Sequence, residues 1–157
     1  MDRRHSLAAG LGLMLGASAV RAHHGWSSFD QERPIYLSGR ARDVRWRNPH
    51  AELMLELDSP LVLPADLGRR QPPAQTAGID GVALFKRTIL PTRRDARWEI
   101  ELAPIFRMNQ WQISQLQDGQ TFAVVGFMFK GEKGSALLRA EYLFIGDRIY
   151  GLRSSPA

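Results

Sequence analysis

Residues 51–58 read Ala51-Glu52-Leu53-Met54-Leu55-Glu56-Leu57-Asp58. Ala51, Leu53, Leu55 and Leu57 alternate with Glu52, Met54, Glu56 and Asp58, and a period of two sets one group on a buried face and the other in water. This is a half-buried β-strand. Upstream, Ile35 to Trp46 alternates as Leu37, Gly39 and Ala41, then changes phase to Val44 and Trp46. A phase change within one run predicts a bulge or sharp bend, with Gly39 as the flexible point. Asn48-Pro49 breaks the two runs apart. Further on, Trp98, Ile100 and Leu102 alternate against Arg97, Glu99 and Glu101, and Pro104 ends that strand. Ile105, Met108, Gln112 and Leu116, with Trp111 beside them, suit a short helix closed by Asp118-Gly119. Phe122, Val124, Gly126 and Met128 lie in a strand apolar on both faces, hence central. Lys130 to Gly134 is a turn, Ala136 to Ile145 the last long strand, and Asp147–Leu152 a small tail.

Three strands, a helix and two strands is the element order of the OB-fold. The sequence therefore predicts an all-β chain with one short helix, a small OB-like five-stranded barrel. A β-sandwich is the alternative, disfavoured because it wants about seven strands. Trp46, Leu53, Leu55, Trp98, Ile100, Leu102, Val124 and Leu143 are the expected core. Between the second and third strands, residues 59–96 carry Pro60, Pro64, Pro72, Pro73 and Pro91, the Arg69-Arg70 and Arg93-Arg94 pairs, and little periodicity. They read as a long proline-rich insertion, with a hairpin around Val82–Ile89, and otherwise as disordered.

The chain's beginning has a different composition. Arg3 and Arg4 precede an apolar run from Leu7 to Val20, and Val20-Arg21-Ala22 offers small or β-branched residues to a signal peptidase. The run is 14 residues long, short of the roughly 20 that span a bilayer. Residues 1–22 are therefore expected to be a cleaved signal peptide, with Ala17-Ser18-Ala19 as a competing cleavage site. The expected product is a single domain, residues 23–157, in the periplasm or secreted. Arg3-Arg4-His5-Ser6-Leu7 resembles a twin-arginine signal, although Ser6 stands where an apolar residue is usual.

The sequence of 157 residues suits one domain with a core of its own. Its formal charge of +5 invites a nucleic-acid partner. Loss of Asp2, Arg3, Arg4 and Arg21 leaves 18 basic and 15 acidic side chains, a charge of +3 with little electrostatic reach. Neither nucleic acid nor a membrane span of the mature chain is expected. The absence of cysteine excludes a disulfide framework, zinc fingers, iron–sulfur ligation and a thiol nucleophile.

Three histidines remain after the leader, in two motifs: Ala22-His23-His24-Gly25-Trp26 and Trp46-Arg47-Asn48-Pro49-His50-Ala51. If the mature chain begins at His23, its α-amine and ring can chelate one ion and a second imidazole completes a T-shaped set. An α-amine titrates near pH 8 and imidazole near 6.5, so both serve as neutral ligands at little cost. Three nitrogen donors in a near-planar array suit Cu(II). If Ala22 is first, the amine, two backbone nitrogens and the His24 ring make a square-planar site for Cu(II) or Ni(II). The expected cofactor is copper. The Asn48-Pro49 turn fixes the direction of His50, while Trp26 and Phe29 anchor the N-terminal segment over the barrel.

The Ala-His-His start followed by Trp26 and Phe29-Asp30, the Gly39 strand leading to Trp46-x-Asn-Pro-His-Ala51, the Trp98-x-x-Glu101-Leu102 strand and Leu116-x-x-Gly119 together resemble a family of small exported bacterial proteins of unknown function. The resemblance runs over most of residues 22–145 and departs at 59–96, where family members turn briefly from strand to strand. It implies export and a small β domain, and no activity. It also makes His23, His24, His50 and Glu101 the positions matching the family's polar pattern, with Glu101 as an oxygen ligand or a group behind the ligands.

Two functions follow. One is an exported metal-binding protein, with copper as the expected metal, using His23, His24, His50 and Glu101. The other is a metal-free OB-like binding module for an oligosaccharide, peptide or protein partner. No Gly-x-Ser-x-Gly or His-Glu-x-x-His marks a hydrolase. A redox enzyme built on the copper site stays open, but no substrate channel is legible.

Overall fold

Residues 25–157 are described by a computed structural model. In chain order the elements are β1 (Ile35–Arg45), β2 (Glu52–Leu57), α1 (Gly81–Arg87), β3 (Arg97–Glu101), α2 (Ile105–Gln110), β4 (Thr121–Phe127), β5 (Leu137–Ile145) and β6 (Arg148–Gly151). The sheet order is β3-β2-β1-β4-β5-β6, and a parallel pairing of β3 with β5 closes it into a five-stranded barrel. With α2 between β3 and β4, this is the OB-like barrel that the element order predicts. The expected Asp147–Leu152 tail is a sixth strand: β6 folds back on β5 and lies outside the closed barrel. No helix among the described residues is long and apolar enough to cross a membrane.

β1 serves two partners. Its first half pairs with β4 and its second half with β2, and Gly39 lies opposite both Leu57 and Phe122. A Cβ at Gly39 would sit 1.9 Å from the Glu56 carbonyl oxygen, so only glycine fits where β1 passes from one partner strand to the other. The bulge lies further along, between Arg42 and Arg45, where Asp43 takes a φ of 51°. That is the position of the phase change, so the expected bulge and the glycine turn out to be separate devices.

Inward-facing side chains fill the barrel: Leu37, Leu53, Leu55, Trp98, Ile100, Val124, Leu138 and Leu143 are all fully buried. Met108 of α2, with Ile113 and Leu116 after it, closes one end. Leu102 is also buried, as expected. Trp46 is the exception in the expected core: it follows the bulge and packs only half-buried against the cluster.

The insertion departs most from the sequence expectation. It is neither disordered nor a hairpin at 82–89. That stretch is α1, capped by the Asp80 side chain, which accepts from the Ala83 N–H at 2.9 Å. Gly81, Leu84, Phe85 and Thr88 are its buried residues, the i, i+3, i+4, i+7 stripe of a helix laid on a surface. The surface is the barrel's outside. Tyr36, Val125, Phe127, Tyr142 and Phe144 point away from the barrel interior and form a second core with Leu67, Leu84 and Phe85. The Phe85 ring lies 4.9 Å from that of Tyr142 and 5.6 Å from that of Phe144. The central strand is apolar on both faces because both faces are covered.

Candidate functional site

His50 follows the Asn48-Pro49 turn, whose peptide is cis, and precedes β2. The flanking backbone is fixed: the Ala51 N–H donates to Ala103 O at 3.0 Å, and the Leu102 N–H to Ala51 O at 2.8 Å. These bonds hold His50 against the end of β3. It lines a small recess of about 70 Å³ with Trp26, Leu102, Ala103, Pro104, Arg107, Arg139, Ala140 and Leu152. Among the described residues, no three His, Asp or Glu side chains come together as a metal-binding group. His23 and His24 lie outside the described residues.

Glu101 is drawn into a different arrangement. Its Oε2 accepts from Arg139 Nη2 at 2.6 Å and from Nε at 2.9 Å, and both side chains are buried. The Arg139 guanidinium carbon also lies 4.6 Å from the Phe29 ring centroid and 5.1 Å from that of Trp26. A second guanidinium, that of Arg153, packs on Trp26 at 3.5 Å. Arg153 Nε donates to Glu141 Oε2 at 2.8 Å, and Nη2 donates to Gln31 Oε1 at 3.0 Å. Glu141 is completely buried on β5. Burial pushes its carboxyl above the ordinary value, and the charge and hydrogen bonds of Arg153 oppose that rise.

The N-terminal segment is thereby pinned. Trp26 opens a 3₁₀ turn, Trp26–Ser28, and contacts two arginines at once. Phe29 is buried, stacks on Phe129 at 5.1 Å and forms a β-bridge with it. The anchors expected from the sequence, Trp26 and Phe29, thus hold the segment to the barrel.

Sequence reasoning missed the four residues that build this end: Arg107, Arg139, Glu141 and Arg153. A signal for two of them was available, because Arg139 and Glu141 interrupt an otherwise apolar strand. Such charges are rarely buried unless paired.

A second and larger cleft, about 340 Å³, opens where the insertion leaves β2 and returns to β3. Leu57, Leu61, Leu90 and Pro91 line it together with Asp58 and Arg94. Its size is at the low end of small-molecule sites.

Comparison with known families gives one match. The model of a family of unknown function (DUF6152) matches residues 12–61, which include Trp26, β1 and the His50 motif. No curated protein and no solved structure matches the chain.

Proposed function

We propose that this chain is an exported small metal-binding protein that takes Cu(II) through its mature amino terminus and His50. What supports the reading is that Trp26 and His50 line one recess. His24 is two residues and His23 three residues upstream of Trp26. At 3.8 Å per Cα–Cα step, their Cα atoms are within about 8 and 11 Å of that of Trp26. The α-amine and ring of His23 then supply two nitrogens and His50 a third, a set that suits Cu(II). Glu101 is left out of the ligand set, because its carboxylate is committed to Arg139. The amine exists only after residues 1–22 are removed, so the site forms outside the cytoplasm, in the periplasm or beyond it.

The test is a Cu(II) titration of protein whose mature terminus has been established by mass spectrometry. His50→Ala, and a variant with one alanine added before His23, should each weaken binding by at least about tenfold, the loss of one strong ligand. Equal affinity in the wild type and both variants would overturn the proposal, as would a mature chain beginning at Val20. A metal-free binding module is the second reading, and the 340 Å³ cleft beside the insertion is the observation in its favour.

A further inference from the structure

Glu141 is the extra residue of a bulge in β5: Ala140 pairs with Gly126 and Tyr142 with Val125, and nothing on β4 stands opposite it. Its carboxylate is completely buried. Oε2 is bonded to Arg153, and Oε1 has no hydrogen-bond partner. Gln75 of the insertion and Arg107 of α2 also face it. The strands beside it contribute Val125, Gly126 and Gly151, none of them charged. Arg153 keeps 19% of its side chain exposed and reaches from Glu141 to the N-terminal segment. Its guanidinium lies 3.5 Å from the Trp26 ring centroid and donates to Gln31 Oε1, while Gln31 Nε2 donates to the Trp26 carbonyl at 3.3 Å. Arg153 thus holds the ring of Trp26 directly and its backbone through Gln31. The contact of Arg139 with the same ring is longer, 5.1 Å. Trp26 is in turn one wall of the His50 recess.

We infer that Glu141 and Arg153 form an acid-released clamp: the ionised pair holds Trp26 against the recess, and one proton on Glu141 frees Arg153 and Trp26 and opens the recess beside His50. A sealed carboxylate with one oxygen unbonded is costly, so the site takes up a proton readily. Burial pushes the Glu141 carboxyl up. Arg70 holds Asp66, and Arg93 holds Asp95, below the ordinary value, as the N–H groups of Thr92 and Arg93 do for Glu132 against its burial. Falling pH therefore neutralises Glu141 before those three. Between the unfolded value and the raised folded one, the native state binds more protons, so protonating Glu141 adds stability rather than removing it. The clamp opens within a domain that stays folded. Once Glu141 is neutral, Arg153 has lost its counter-charge, and its exposed edge lets it return to water. Phe29 stays bridged to Phe129, which confines the release to the residues before it. The inference does not depend on the copper reading, because no ligand takes part.

The experiment uses the full mature chain labelled with fluorotryptophan, in EDTA, with the Trp26 resonance identified by its absence from Trp26→Phe. The solvent isotope shift of each ¹⁹F signal reports exposure from neutral pH down to 4.5, the ordinary value of the carboxyl. In the wild type, Trp26 should become exposed in a one-proton transition while Trp98, fully buried in the barrel, stays protected. Glu141→Gln should expose Trp26 already at neutral pH and abolish the transition. Arg153→Gln, which takes away the partly exposed partner, should do the same and serves if Glu141→Gln does not fold. His50→Gln should keep the transition. The inference is overturned if Trp26 stays protected in acid, if Trp98 is exposed together with it, or if both clamp variants hold Trp26 at neutral pH as the wild type does. Loss of the transition in His50→Gln would overturn it too, by assigning the proton to the histidine. None of these outcomes bears on copper affinity, which is measured with metal present.

Discussion

Replacing Glu101 by glutamine distinguishes two jobs that this residue could do. As a ligand its loss would weaken metal binding; as the counter-charge of Arg139 its loss would weaken the fold. Both partners of the pair are nearly sealed, with side-chain exposures of 9% for Glu101 and 8% for Arg139. Solvent therefore screens little of the interaction, and Glu101→Gln leaves a guanidinium buried with no neutralising charge. Breaking such a pair from one side costs about 3–5 kcal/mol. Against a total stability of about 5–15 kcal/mol, that is a large fraction of what holds the domain together. For a domain of this size it lowers the melting temperature by something of the order of 10 °C.

The assay is urea unfolding followed by tryptophan fluorescence, for which the fully buried Trp98 is a natural reporter. A companion variant, Glu101→Leu with Arg139→Met, removes both charges and keeps an apolar stem under Trp26 and Phe29. It should recover most of the loss, since buried pairs exchange for apolar groups at little net cost. Cu(II) affinity of folded Glu101→Gln should match the wild type. A stability loss below about 1 kcal/mol, the scale of an exposed pair, would refute the structural role. So would a drop in copper affinity with the fold intact, which would return Glu101 to the ligand set.

Phe85→Ala tests whether the insertion is part of the folded core; it should cost about 3–5 kcal/mol in the same unfolding assay, and near-neutrality would mean that α1 does not bear on the barrel. Leu67, beside Arg69-Arg70, is buried in that second core, so native protein should resist trypsin there until it unfolds globally, and rapid cleavage would contradict the packing. Glu132 gives a pH signature. Burial pushes its carboxyl up, but the backbone N–H groups of Thr92 and Arg93, with Arg33 beside them, outweigh this and hold it below 4.5. A folded value below the unfolded one contributes stability that is present above about pH 4.5 and lost as pH falls through the folded value. Glu132→Gln should therefore lose about 1–3 kcal/mol near neutrality and show a flatter acid limb, and parallel acid-unfolding curves would refute the assignment.

The barrel was legible because its strands advertise themselves locally. Residues 51–58 and 97–102 alternate with a period of two, and each faces the core as that period requires. The insertion was harder, for an identifiable reason. Five prolines in 59–96 suggested a chain with nothing to bury, yet prolines do not prevent short apolar pieces from docking. The helix did leave a trace: Asp80 stands before Gly81, Leu84, Phe85 and Thr88, a cap followed by a helical stripe. Val82 to Phe85 are all apolar, so the stripe does not stand out locally, and seven residues are too few for a period to dominate. The doubly apolar fourth strand pointed the same way, since its outer face needed a cover, and the insertion supplies Leu67, Leu84 and Phe85 to it.

The arginine-rich end of the barrel is a different case, because its contacts are long-range. Glu101 and Arg139 are 38 residues apart, and Trp26 meets Arg139 and Arg153 from the far end of the chain. No window along the sequence contains both members of any of these contacts. Topology does bring two of them together. In an OB-like barrel the third and fifth strands run parallel at the seam, and here the seam sets Glu101 directly opposite Arg139. The ion pair is thus a consequence of closing the barrel in this register. A one-residue slip of β5 would turn Arg139 to the opposite face and leave Glu101 buried without its counter-charge. The same slip would carry Arg139 away from Trp26 and Phe29. One register choice therefore decides both whether the seam is stable and whether the N-terminal segment is held beside His50.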